Sequence, residues 1–290
     1  MAKGNMKSIK RRIKVVGSTL QITKAMEMVA SSKLRRAKAQ TERMRPYFHA
    51  LDKLLSGIAT EKKDFATIFT TKRKTVKNRL FIVIAGDRGL AGGYNSNILK
   101  LVAAHKNNAP DTGTKIIAVG KTTVDYFKKN KYDISAEFPH FCDDIKASRC
   151  ADIAQIAINQ FRSGEVDEVW IFYTAFISAL QQQTTAVQLL PFVVSETENS
   201  DESAQGFTSY DPSPEAVFDR IIPKMLMSMI SCACVEAYAS EQSARRNAME
   251  SASDNAEEMI ESLSLQYNRL RQEKITNEIN EIVGGANAIS

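Results

Sequence analysis

The sequence predicts an α/β protein in which long helices from its two ends pair as an antiparallel coiled coil and a small, mostly parallel α/β domain lies between them. Three observations carry this. Helix breakers are nearly absent from both ends: no proline precedes Pro46, no glycine lies between Gly17 and Gly57, and none lies between Phe207 and Val283. Apolar residues at both ends recur at alternating spacings of three and four. The middle instead carries short, almost wholly apolar runs separated by helical patterns, which is how a buried parallel sheet reads.

The N-terminal helix is placed over residues 1–60. Ile9, Ile13, Val16 and Leu20 form one stripe; a neighbouring stripe through Ile22, Met26 and Val29 then takes over, followed by Leu34 and Ala37. That change of stripe predicts an imperfect heptad register. Residues 61–78 read as a linker.

Residues 79–194 form the central domain. The runs after Arg79, at 115–120, at 166–176 and at 184–194 are strands, with a weaker strand at 131–137. Helices fall at 94–107, 121–130 and 143–162. Strands that alternate with helices predict parallel pairing through helical crossovers, and two final strands without a helix between them predict an antiparallel hairpin. The layout is Rossmann-like.

Residues 195–211 are polar and acidic and read as a surface loop. The C-terminal helix is placed over 212–290. Ser213 is its expected N-cap, with Pro214 in the first turn, and Gly284-Gly285 its expected stop. Met249, Ala252, Ala256, Ile260, Leu263, Tyr267 and Leu270 form its stripe; after a one-residue skip Ile275, Ile279 and Ile282 continue it. A helix over 214–283 spans roughly 100 Å, much farther than a small domain is wide, so most of it needs a partner. The N-terminal helix is available and opposite in charge. Residues 1–60 carry fourteen Lys and Arg against three Asp and Glu, whereas residues 241–290 carry five against nine. A homodimeric coiled coil would bury the same stripes, but one chain already supplies both strands.

The 290 residues, 43% hydrophobic and 25% charged, suit a folded chain with one large or two modest domains. No run of apolar residues reaches the length expected to span a bilayer, and the basic N-terminus is not followed by a secretory pattern. The net charge of +6 does not imply nucleic acid, because the basic arm lacks aromatics before Tyr47 and shares its helix with an apolar stripe. Cys142, Cys150, Cys232 and Cys234 with His49, His105 and His140 show no metal-ligand spacing.

Catalytic signals are thin. Glycines at 86, 89, 92 and 93 follow a strand and precede a helix, a place that can hold an anion, yet their spacing is not that of a dinucleotide fingerprint. Gly120-Lys121-Thr122 looks like the tail of a phosphate loop, but Lys115 stands where its first glycine is required. Asp143-Asp144 reads as a helix-start pair. No catalytic residue, cofactor site or metal site is assigned.

Strings at opposite ends of the chain are more specific: ITKAMEMVASSK at 22–33, RRNAMESASDNAEEMI at 245–260 and RQEKITNEINEIVGGA at 271–286, with GDRGLAGGYN at 86–95 and YDPSP at 210–214 between them. By these the sequence closely resembles the gamma subunits of F-type ATP synthases over essentially its whole length. The resemblance implies a non-catalytic central-stalk rotor. Its paired helices enter a hexamer of three alpha and three beta subunits, and its foot meets the epsilon subunit and the membrane c-ring. It implies peripheral association with the cytoplasmic face of a bacterial inner membrane and no nucleic-acid partner. It also implies roles for particular residues. Met26 faces a beta-subunit lever loop, and Arg271 and Gln272 contact a beta-subunit loop. Thr276 and Glu278 pack in the shaft near that contact. Tyr210 and Asp211 lie at the foot against the c-ring. Chloroplast-type members carry an inserted redox cysteine pair; residues 195–211 have no cysteine, which points to the bacterial type.

Overall fold

The computed structural model describes residues 2–61, 67–141, 145–192, 211 and 213–287. It divides into two compact units: residues 1–31 with 245–290, and residues 32–244. Helix α1 (Ala2–Glu61) and helix α5 (Pro214–Asn287) contribute to both. The start of α5 follows the sequence signal. The Ala216 N–H donates to the Ser213 hydroxyl at 3.2 Å, and Pro214 takes the first helical position, where no N–H is needed. Its end does not. The helix continues through Gly284-Gly285 to Asn287, because glycine weakens a helix without removing its N–H donors, as proline does.

In the first unit the two helices pack along one seam, and that seam is more regular than the apolar residues alone suggest. On α1 the inward positions are 9, 13, 16, 20, 23, 27 and 30, steps of four and three without a break. The apparent change of stripe at Ile22 is not real. Thr23 and Ala30 are buried, whereas Ile22 and Val29 are exposed. On α5 the seam runs 249, 253, 256, 260, 263, 267, 270 and 274, again in steps of four and three. Ser253 takes the buried position beside the half-buried Ala252, and Ile275, Ile279 and Ile282 leave the seam for the surface. Polar side chains at 23, 27, 253 and 274 hid a continuous heptad pattern.

The second unit holds a five-stranded sheet of order β3-β2-β1-β4-β5. Strands β1 (Asn78–Ile84), β2 (Gly113–Val119), β3 (Asp133–Phe138) and β4 (Glu168–Phe176) are parallel, and β5 (Gln182–Leu190) closes an antiparallel hairpin with β4. Helices α2 (Tyr94–Asn107), α3 (Lys121–Lys129) and α4 (Ala147–Arg162) connect the parallel strands. Alternation along each strand sends side chains to two cores. Leu80, Ile82, Ile84, Ile117, Val119, Val169 and Ile171 pack against α4 and α5; Phe81, Val83, Ile116, Ala118 and Phe172 pack against α2 and α3. The edge strand read as weak is therefore real. The strand placed at 184–194 starts two residues earlier and stops at Leu190. The helix placed at 143–162 begins at Ala147, and residues 143–144 lie outside the described residues.

One stretch of α5 is, by length and composition, apolar enough to cross a bilayer, contrary to the expectation that none is. More than half of it is buried inside the protein, and Phe218, Ile222, Met225, Leu226 and Ile230 belong to the sheet core. The described part of the segment read as a linker is likewise anchored. Phe69 is buried and stacks on Phe161 at 6.2 Å, and Arg73 pairs with Asp167 at 3.2 Å.

Gly120 joins β2 to α3 with φ +97°, and an added Cβ would stand 2.0 Å from the Ala85 carbonyl oxygen. The backbone of β1 and the β2–α3 turn meet too closely there for any side chain. Gly120→Ala is therefore expected to destabilise the chain by about 3 kcal/mol or more, combining left-handed strain with a backbone clash. Denaturant unfolding of the variant beside the parent chain checks this; an unchanged midpoint would refute it.

Candidate functional site

Two places on the chain can be tested as sites: the C-terminal edge of the sheet, where open α/β sheets hold ligands, and the surface of the helical pair.

At the sheet edge the anion position is already filled. Asp87 follows β1, and its Oδ1 accepts the Lys121 N–H at the start of α3 at 2.7 Å and the His140 N–H at 2.9 Å. A carboxylate of the chain itself thus occupies the helix N-terminus that a phosphate would use. The glycine loop is held down on α5 as well. The Tyr94 hydroxyl donates to the Ala237 carbonyl at 2.9 Å, and a Cβ on Gly86 would lie 2.8 Å from Glu241 Oε1. The Ser243 hydroxyl donates to the Ala179 carbonyl at 2.7 Å, which fastens the β4–β5 turn to the same helix. The loop at 86–93 is a packing turn, and Gly86 allows its close approach to α5.

No group of three or more His, Cys, Asp or Glu among the described residues is placed to hold a metal ion. His105 lies against the rings of Phe81, Trp170 and Phe172, and burial pushes its pKa below the ordinary value of 6.5. Cys150 and Cys234 are buried thiols and Cys232 is half-buried; Cys142 lies outside the described residues.

On the helical pair, Met26 is half-buried, three residues beyond Thr23 and beside the seam. Thr23 and Ser253 share a buried hydrogen bond of 2.7 Å between the helices. Next to it the Lys24 ammonium donates to the Glu257 carboxylate on the solvent side, and that hydrogen bond raises the Lys24 pKa above 10.5. Arg271 and Gln272 are exposed on α5. The Thr23–Ser253 pairing sets Met26 level with about residue 250, so Arg271 and Gln272 sit roughly 30 Å farther along the pair and do not join Met26 in one cluster. Thr276 and Glu278 are not packed in the seam. Both are exposed, and Glu278 pairs with Lys274 at 3.2 Å one turn back on its own helix. Asp211 is exposed just before α5, and Tyr210 lies outside the described residues. Sequence reasoning passed over Thr23, Lys24, Ser253 and Glu257. For Thr23 and Ser253 the signal was the unbroken four-three spacing, visible once polar residues are admitted to the seam; Lys24 and Glu257 are exposed beside it and the spacing does not mark them.

These features define a class: a chain whose two ends form an antiparallel helical pair and whose middle forms a largely parallel α/β domain. Comparison with known proteins agrees. The ATP synthase family model matches residues 5–289. The chain is 47% identical to the ATP synthase gamma chain of Ruminococcus albus over 96% of each chain. It is 41% identical to the sodium-ion-specific ATP synthase gamma chain of Acetobacterium woodii over 99% of each. Among solved structures, the fold is similar to a chain of the Euglena gracilis mitochondrial ATP synthase rotor, with TM-score 0.64, 18% identity, and 94% of this chain and 99% of that one covered. It is also similar to a chain of the Tetrahymena thermophila mitochondrial central stalk and c-ring, with TM-score 0.60, 24% identity, and 80% and 99% covered. The chain belongs to the ATP synthase gamma-chain family.

Because Asp87 fills the anion position, calorimetric titration of the purified chain with magnesium ATP is expected to show no saturable binding. Asp87→Ala is expected to lower stability by about 1–2 kcal/mol through loss of two charge-assisted hydrogen bonds. Stoichiometric ATP binding by the parent chain would overturn the assignment of this loop to packing.

Proposed function

We infer that this chain is the central rotor shaft of an F-type ATP synthase, coupling ion-driven rotation of the c-ring to ATP synthesis or hydrolysis on the beta subunits while itself performing no chemistry. The observation that carries this is the full-length family match of a chain whose two end helices form one continuous seam. Its partners are the alpha3beta3 hexamer, the epsilon subunit and the c-ring, and it is a peripheral component of the membrane-bound complex. In this reading it lies at the cytoplasmic face of a bacterial inner membrane.

A rotor shaft transmits torque by being stiff along its length and uneven around its circumference. Pairing two helices supplies the stiffness. Exposed Ile275, Ile279, Ile282 and Val283 leave an apolar strip on α5 that the intrachain seam does not cover, which suits a surrounding sleeve of protein. In this reading Met26 bears on a lever loop of a beta subunit, and Arg271 and Gln272 meet a beta-subunit loop farther along the shaft, with Thr276 and Glu278 in the same neighbourhood. Tyr210 and Asp211 dock the foot on the c-ring.

The direct test is recovery of the complex through a tag on this chain: one copy per three alpha and three beta subunits is expected, and a homodimer without them would refute the reading. Within that complex Met26→Lys is expected to assemble, since methionine and lysine have similar helix propensities. It should still hydrolyse ATP but pump fewer ions per ATP in vesicles. Methionine slides over a changing surface, whereas a strongly hydrated ammonium must be desolvated or grips an acidic partner at some angles of the cycle. An unchanged ratio with intact assembly would reduce Met26 to shaft packing. Replacing Tyr210 and Asp211 together with alanine is expected to weaken attachment to the membrane sector and spare hydrolysis by the soluble hexamer. Equal loss of both would assign these residues to folding.

A further inference from the structure

Among the described residues of the paired-helix unit, Thr23 and Ser253 are the buried polar side chains, 7% and 3% exposed. Of the other seam positions in this stretch, Ala30, Ala256 and Met249 are buried and small or flexible, while Leu20 and Glu27, which flank Thr23 on its own helix, are half-buried. Alanines let two helices approach closely, but they discriminate poorly between axial settings, because a slip that exchanges one small residue for another costs little contact. A directional hydrogen bond does discriminate. In coiled coils a single buried polar layer specifies register at some expense of stability.

The donor assignment follows from the surroundings. The Thr23 hydroxyl also lies 3.0 Å from the Leu20 carbonyl and donates there, so its lone pairs accept from Ser253. A slip of one helical turn, about 5 Å, would separate the two hydroxyls beyond any hydrogen-bond distance. It would also part Lys24 from Glu257. Met26 lies one turn from Thr23 on the same helix, so whatever fixes the axial setting at 23 and 253 fixes where Met26 is presented.

We propose that the Thr23–Ser253 hydrogen bond, flanked by the Lys24–Glu257 ion pair, is a register lock that holds the two helices at one axial setting beside Met26, which makes Thr23 and Ser253 positioning residues for rotary coupling. This rests on the reading of Met26 as a coupling contact. Isosteric variants isolate the bond from packing. Thr23→Val and Ser253→Ala each remove one partner with little change in shape, and Thr23→Ser restores the hydroxyl.

The experiment uses the assembled complex in vesicles. Spin labels at Lys14→Cys and Ser251→Cys, both exposed positions of this unit and offset along the pair by about 16 Å, so that a slip changes their separation directly, report the axial setting in a background whose native cysteines are replaced by serine. Thr23→Val and Ser253→Ala are expected to broaden the distance distribution, with slipped populations raised about fivefold, the effect of losing one buried hydrogen bond. They should lower the ions pumped per ATP while hydrolysis persists. The double variant should be no worse than either single one, since both remove the same interaction, and Thr23→Ser should recover both readouts. An unchanged distance distribution would overturn the lock. A broadened distribution with an unchanged pumping ratio would overturn the positioning role, as would additive losses in the double variant. Failure of the Met26 reading is separately visible, because Met26→Lys would then leave the pumping ratio intact while the distance measurement still decides the lock.

Discussion

A helix of 74 residues cannot be covered by a five-stranded sheet, and this mismatch of length governs the structure. The surplus needs another helix with the same spacing of inward residues, and the chain supplies it from its opposite end. Pairing the two termini places the α/β domain, in sequence, between the two strands of the coiled coil. The seam tolerates polar residues because most of its positions are only half covered. It requires only that the innermost ones be small, apolar or mutually hydrogen-bonded.

The sheet domain keeps the frame of a nucleotide-binding fold without its opening. Its strand order is that of a ligand-holding edge, but the glycine turns are spent on internal contact. Gly120 lets two backbones meet, Gly86 makes room for Glu241, and Tyr94 ties the loop to α5. The same edge holds the β4–β5 turn against Ser243. What would be a cleft in an enzyme is here a joint between a sheet and a helix.

The sheet was legible because its central strands β1, β2 and β4 are short, largely apolar runs between polar turns, and the topology followed from the alternation with helices. The N-terminal limit of α5 was legible because Ser213 and Pro214 carry opposite halves of one capping arrangement. Its C-terminal limit was not, since glycine permits a stop without enforcing one. The seam was half legible. Ile9 through Leu20 announced it, but Thr23, Glu27 and Lys274 broke the apolar pattern without breaking the geometry, and Ile22 and Ile275 drew the eye to faces that are exposed. Periodicity read from hydrophobicity alone follows the greasiest face, and on a shaft that must also bear on other proteins the greasiest face is not always the inner one. The contact residues were readable only by resemblance, because a surface that waits for a partner has no chemistry of its own to advertise.

A rotor in such a complex turns in a solution rich in ATP, ADP and phosphate, next to subunits that bind them. Any affinity of its own for these anions would make the stiffness of its α/β domain vary with the energy state of the cell. The Asp87 carboxylate, already seated on the N–H groups of Lys121 and His140, stands in the place such an anion would take. With the chain's own carboxylate standing where a soluble anion would bind, this turn is committed to joining sheet and helix rather than to sensing the metabolite pool around it.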